Sequence, residues 1–301
     1  MRAVVTGGAG FIGSHVAEAL VGRGDEVHVL DSLVTGHREK VPEGAELHVG
    51  DIRSDTEKLF VEVQPEVCFH LAAQADVGTS VERPAYDAEV NVWGTLQVLE
   101  AARAQGTQVV FSSTGGAIYG ECDGPADEDA PRRPISPYGI SKLAGEEYLL
   151  GWNRLFGSHH LALRFANVYG PRQEPRLEGG VIAIFLDRMA GGQPTRIYGD
   201  GSQTRDFTYV GDIVAAVLAA VGREGGVYNV GTGVETSVDE LHAACRRITG
   251  DARQPEYAPA REGEIRRSVV DPSRAARDLG WRAQRSLEDG LRLTWEEVRP
   301  E

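Results

Sequence analysis

Lysine is almost missing from this chain: of its 31 basic residues only Lys40, Lys58 and Lys142 are lysine, and the other 28 are arginine. A broadly basic surface is missing too, because 45 acidic residues leave a formal net charge of −14. That balance argues against nucleic-acid or anionic-membrane partners, which reward clustered positive charge, so any phosphate-bearing ligand must be held by local groups. Cysteine is equally scarce. Cys68, Cys122 and Cys245 are odd in number, far apart and without metal-ligand spacing, which argues against a disulfide framework or a zinc site and leaves buried thiols. No apolar run is long enough to span a bilayer. The opening MRAVVTGGAG reads as a strand entering a turn, without the apolar stretch and cleavage site of a signal peptide, so a cytoplasmic location is expected.

What is present is alternation. RAVVT, EVHVLD, AELHVGD, EVCFHLA, TQVVFSS and LALRFAN are short apolar runs, and amphipathic stretches over 11–23, 54–63, 84–105 and 136–156 separate most of them. Strands alternating with helices predict parallel βαβ units, that is, an α/β, Rossmann-type doubly wound parallel sheet. Beyond residue 170 the rhythm loosens into turn formers, short strands and helices near 180–190, 211–222, 237–249 and 285–298. The expected organisation is a dinucleotide-binding domain over 1–170, to which the chain returns around 206–235, and a smaller α/β substrate-binding lobe over 171–301.

Within VVTGGAGFIGSH, Gly7, Gly10 and Gly13 recur every three residues directly after a predicted strand and at the start of a predicted helix. Gly8, Gly10 and Gly13 also satisfy the G-x-G-x-x-G spacing. Glycine permits the tight turn and close approach of a pyrophosphate, and the helix N-terminus attracts the anion. Asp31, 18 positions after Gly13 at the end of the second strand, can accept from ribose hydroxyls and would repel a 2′-phosphate, which favours NAD over NADP. Asp51 in GDIR either meets the adenine edge or closes a solvated strand-end turn. LAAQ at 71–74 puts small residues where backbone passes a cofactor, although tight core packing explains them equally well. The cofactor-binding set is Gly7, Gly10, Phe11, Ile12, Gly13, Asp31, Asp51, Ile52, Leu71, Ala72 and Ala73, together with Tyr138 and Lys142.

SPYGISKLAGEEY, residues 136–148, explains the placement of one of the three lysines. Ser136 and Pro137 suit a helix N-cap and first position, so Tyr138 falls in the first turn with Lys142 one turn along on the same face. A phenol is protonated at neutral pH; a fixed ammonium, with the positive charge of an oxidised nicotinamide, favours the phenolate and is expected to lower the Tyr138 pKa. Lys142 can also donate to the nicotinamide ribose as a slim point charge, which a planar guanidinium cannot do in the same space. A further hydroxyl comes from Ser112, Ser113 or Thr114 at the end of a predicted strand, and the residues themselves leave the choice among the three open.

These motifs, with DSLVTG, HLAAQADV, NVWGT, SSTGGAIYGE, LRFANVYGPRQ, YGDGSQTRDFTYVGD, YNVGTG and REGEI, resemble the extended short-chain dehydrogenase/reductase family over nearly the whole chain, most closely its UDP-glucose (UDP-galactose) 4-epimerases. The resemblance implies a Rossmann lobe plus a nucleotide-sugar lobe, a homodimer, and catalysis by the Tyr and Lys matched by Tyr138 and Lys142. The family's catalytic Ser/Thr falls on Thr114, with Ser113 as the alternative. It implies substrate contacts at Asn167, Val181, Arg205, Arg261, Glu264 and Ser268: the two arginines clamp the diphosphate, Glu264 accepts from the uridine, and Ser268 borders the C2 substituent of the sugar. Members that dehydrate their sugar carry Asp-Glu after the hydroxyl, where this chain has Gly115 and Gly116. The implied activity is NAD-dependent 4-epimerisation of UDP-hexoses through a 4-keto sugar, extending to N-acetylhexosamine forms because Ser268 is small. Two other readings remain, a uronate epimerase or decarboxylase, which would need a further cation for the sugar carboxylate, and a non-catalytic NAD sensor. No metal is expected.

Overall fold

The computed structural model describes residues 1–175, 180–260 and 264–299. Six strands, β1 (Arg2–Thr6), β2 (Glu26–Asp31), β3 (Ala45–Val49), β4 (Val67–His70), β5 (Gln108–Thr114) and β6 (Leu161–Phe165), join a seventh, Gly226–Val230, in one parallel sheet. Its order is seventh, β6, β5, β4, β1, β2, β3, so the strand sequence reverses direction beside β1. That switch point opens a crevice at the carboxyl ends of β1 and β4, where ligands bind in such sheets. The doubly wound sheet predicted from the alternation of strands and helices is therefore present.

Both faces are covered, as a parallel sheet requires. Side chains alternate across each strand: Ala3 and Val5 pack under α1 (Phe11–Gly22) and the helix Val210–Ala219, whereas Val4 packs with Leu59, Phe60, Val98 and Leu149 on the opposite face. A separate core of Ile182, Phe185, Leu186, Leu241, Cys245 and Leu291 binds together the helices Val181–Ala190, Val238–Thr249 and Leu287–Val298. Cys68 and Cys245 are buried free thiols; Cys122 is only half-buried, which corrects the expectation for that residue.

Two local choices aim residues at the crevice. The helix Pro137–Phe156 starts where Ser136 accepts from the Gly139 amide at 3.2 Å, and it rests so closely on β5 that a Cβ on Gly145 would lie 2.9 Å from Phe111. The stretch 84–105, read from sequence as one helix, contains a π-helical turn at Glu89–Trp93 between Pro84–Ala88 and Gly94–Gln105. Such turns carry an extra residue and re-aim a side chain, here the buried Asn91.

Candidate active site

A cleft of about 610 Å³ opens at the switch point, and every residue of the predicted cofactor-binding set lines it, as do Ser113 and Thr114. Gly7 adopts φ +72°, and a Cβ there would sit 2.6 Å from the Ala72 amide nitrogen; at Gly13 it would meet the Gly7 carbonyl at 2.1 Å. Glycine is thus obligatory at both positions. The N-cap of α1 is Gly10, with no side chain bonded to the first-turn amides, so the positive end of the helix faces the cleft uncapped. The Asp31 carboxylate accepts from the amides of Ala9 and Leu33, each at 2.9 Å, which fixes it at the lip of the cleft. Asp51 lies on the wall but is gripped by Arg53, whose side chain donates at 2.9 and 2.6 Å and holds the carboxyl below its ordinary range.

At the other end of the cleft Thr114 and Tyr138 line the same wall, and the Thr114 hydroxyl favours the phenolate. Lys142, one turn along, is buried and donates to the Ser112 carbonyl at 2.9 Å. Ser113 lines the cleft as well, but its hydroxyl is engaged, donating to Glu146 at 2.5 Å. The structure therefore separates two neighbouring hydroxyls that the sequence left equivalent: that of Ser113 is taken up by a buried carboxylate, whereas that of Thr114 is left to the cleft. Sequence reasoning expected a lowered Tyr138 pKa; the protein's own groups push it up, through burial first and then the Asp87 carboxylate, against the opposing Thr114 hydroxyl. Burial likewise brings Lys142 down to about 8, which Asp87 and Glu146 resist. Lys142 is buried and Tyr138 half-buried, and loss of hydration outweighs their neighbours.

The residues expected to contact substrate lie apart from this wall, with Asn167 nearest to it. Ala166 and Val168 line the cleft and flank Asn167, whose amide oxygen is buried without a hydrogen-bond partner. Gly116 lies between: a Cβ on it would be 3.5 Å from that oxygen and 3.8 Å from the Thr114 hydroxyl. Gly115 has no such room, since its Cβ would lie 2.6 Å from Val270. The backbone amide of Asn167 donates to the Asp206 carbonyl, and Arg205, the residue before Asp206, stands 3.6 Å from Glu264. Ser268 is buried opposite Arg205 in parallel register, and Val181 begins its helix, half-buried. These four do not line the cleft wall. Arg261 lies outside the described residues.

Three features escaped the sequence reading. His70 is held neutral, its pKa brought down to about 3 by burial and then by Lys142. Thr95 donates to the Asn91 carbonyl at 2.6 Å, so His70 Nε2 must donate to Thr95 and Nδ1 accept from Thr6, 2.8 Å away. Thr6 in turn accepts from the amides of Leu71 and Ala72, tying the small-residue segment to β1. Asn91 joins Gln74, Asp87 and Ser141 through its side-chain amide, under the Tyr138 helix. Glu146 and Arg164 form a wholly buried ion pair at 2.7 Å behind Ser113. A polar residue inside a helix or strand run was the only sign of each, and that sign does not name the partner.

A Rossmann-type sheet with a glycine turn, an aspartate closing the second strand at the cleft and a Tyr-Lys helix beside a strand-end threonine defines an extended short-chain dehydrogenase/reductase. The chain belongs to the NAD dependent epimerase/dehydratase family, whose model matches residues 3–231. It is 45% identical to a UDP-glucose 4-epimerase of Mycolicibacterium smegmatis over 306 residues, covering 98% of each chain. Among solved structures, a UDP-glucose 4-epimerase of Thermotoga maritima with UDP-glucose superposes with a TM-score of 0.97 at 45% identity, covering 99% of this chain and 98% of that one. A Thermus thermophilus UDP-glucose 4-epimerase in complex with NAD gives 0.93 at 46% identity, covering 99% of both chains.

Proposed function

We propose that the protein catalyses NAD-dependent 4-epimerisation of UDP-hexoses, UDP-glucose and UDP-galactose, through a transient 4-keto sugar. The observation that carries the reading is the placement of Thr114, Tyr138 and Lys142 at one end of a cleft whose other end is the glycine turn and Asp31. The residues fit the cofactor: the glycine cradle that any Cβ would fill and the uncapped α1 N-terminus suit a pyrophosphate, and Asp31 suits ribose hydroxyls rather than a 2′-phosphate. When bound, NAD supplies a hydride acceptor that later gives the hydride back, and a positive charge that favours the phenolate.

Tyr138 takes the proton of the sugar 4-hydroxyl, directly or through Thr114, and returns it at the end of the cycle. Lys142 holds its ammonium beneath, free to donate to a ribose. Asn167, with its unpaired buried oxygen, accepts from the sugar or lies against its phosphates; Arg205 and Arg261 clamp the diphosphate, Glu264 accepts from uridine, and Val181 packs at the sugar-nucleotide end. Gly115 and Gly116 leave no acid or base for eliminating water. Residues 1–170, with the returning segment, serve the cofactor, and 171–301 the nucleotide sugar. The single-experiment test is conversion of UDP-galactose to UDP-glucose without added oxidant: product is expected with no matching rise in NADH absorbance. NADH accumulating one for one with product would make the protein a dehydrogenase instead.

We propose that UDP-N-acetylhexosamines are also substrates, because in the epimerases this chain resembles the position matched by Ser268 borders the C2 substituent, and Ser268 carries little bulk there. Ser268→Tyr is expected to reduce turnover of the N-acetylated sugars at least about tenfold relative to UDP-glucose, since overlap in a packed pocket is not easily relieved. Ser268 is 5% exposed, so a melting curve must accompany the kinetics. Equal losses on both substrates would remove Ser268 as the size gate.

A homodimer is proposed from the apolar surface of two neighbouring helical segments. Trp93, Ile140, Tyr148, Leu155 and Phe156 are exposed, and Tyr148, Trp152 and Phe156 stack edge to face along one helix. Light scattering is expected to give twice the chain mass, and Tyr148→Glu with Leu155→Glu to give the monomer; a monomeric parent would refute the assignment. No helix among the described residues is long and apolar enough to cross a membrane, and a cytoplasmic location is proposed.

A further inference from the structure

The outer edge of the sheet carries a group of side chains that the cleft does not use. Glu26 and His28 alternate along β2, Glu46 and His48 along β3, and the parallel register sets His28 opposite Glu46 and Leu30 opposite His48. Period-two alternation puts all four on one face of the two outermost strands. One ligand atom from each of His28, Glu46 and His48 lies within 4.8 Å of the others. His28 Nδ1 is 3.0 Å from His48 Nε2, and the Glu46 oxygens stand 3.6 Å from the former and 3.7 Å from the latter.

On the far side of the His28 ring, Nε2 lies 3.2 Å from Glu26 Oε1. A carboxylate can only accept, so Nε2 carries the proton in the neutral ring and Nδ1 presents its lone pair to His48 and Glu46. That is the arrangement in which a carboxylate orients a metal-bound imidazole and raises its basicity. Ligands about 2.0–2.2 Å from a tetrahedral zinc ion stand about 3.3 Å from one another, close to the 3.0 Å between the two imidazole nitrogens, and each of these has a different Glu46 oxygen within 3.7 Å. His28 is buried and needs little ordering, while exposed Glu46 can swing inward and leaves the fourth position to water.

We propose that His28 Nδ1, His48 Nε2 and a Glu46 oxygen form a site for Zn²⁺ or a similar borderline divalent cation, with Glu26 positioning His28. Two imidazoles select such ions over Mg²⁺ and Ca²⁺, which prefer all-oxygen sets. The ion ties edge strand β3 to β2, and these strands lead directly to Asp31 and Asp51 on the cleft wall. The site therefore braces the adenosine side of the cleft without taking part in the reaction. Cysteine spacing gave no sign of it, because the ligands meet through strand register.

The test uses tag-free full-length protein, stripped with chelator and titrated with ZnCl₂ by calorimetry and with CoCl₂ by visible absorption. One equivalent per chain is expected, with a melting temperature raised by a few degrees at saturating zinc. His48→Gln, at a half-buried position, should weaken zinc binding about 100-fold or more, and Glu26→Gln about tenfold through His28 alone. Circular-dichroism melts of the metal-free variants confirm that they fold. Absence of binding up to millimolar zinc, or an isotherm unchanged in His48→Gln, would overturn the site.

Discussion

Tyr138→Phe is expected to lower epimerase turnover by about 10²–10⁴-fold while leaving UDP affinity within about twofold of the parent. The range is that of a lost general acid–base group. The ring keeps its packing, and only the hydroxyl beside Thr114 is removed. Thr114→Val should share part of this loss, because a methyl cannot bridge substrate and phenol. Ser113→Ala should act on stability instead, since its hydroxyl serves Glu146 in the core. Initial rates and UDP titration by calorimetry check the set. Should Tyr138→Phe keep a tenth of the parent rate, the proton must leave by another group; should Ser113→Ala be the slower of the two hydroxyl variants, the assignment of Thr114 falls.

The largest effect on stability should come from Glu146→Ala. Glu146 and Arg164 are 0% and 1% exposed, and the guanidinium also donates to Tyr119 at 2.7 Å, which in turn donates to Asn229 at 2.7 Å. Removing the carboxylate strands a buried cation and the Ser113 hydroxyl together, at a cost of about 3–5 kcal/mol. The melting temperature should fall on the order of 10 °C. Glu146→Leu with Arg164→Met should recover much of that loss, because exchanging a whole buried pair for apolar packing is often neutral. A melt of Glu146→Ala within a degree of the parent would mean that water reaches the pair. A double variant worse than the single one would place the value of this network in its shape rather than its charge.

Function was legible where chemistry and local spacing coincide. A strand entering Gly7–Gly13, an acidic residue closing the second strand, and Tyr138 and Lys142 one helical turn apart are all contained within short windows, and each imposes its own geometry. The same holds for the sheet, because alternating apolar strands and amphipathic helices leave few ways to bury both faces. What needed the tertiary structure were pairings between distant segments. The packed helix engaged the Ser113 hydroxyl with Glu146 and left that of Thr114 to the cleft, burial turned the Tyr138 pKa upward, and register brought His28 and His48 together. The sequence by itself determined which groups the protein owns and the local turn or helix each sits on. Which of them face one another, and how far water is excluded between them, only the packing decided, because desolvation and hydrogen bonding act through space and not along the chain.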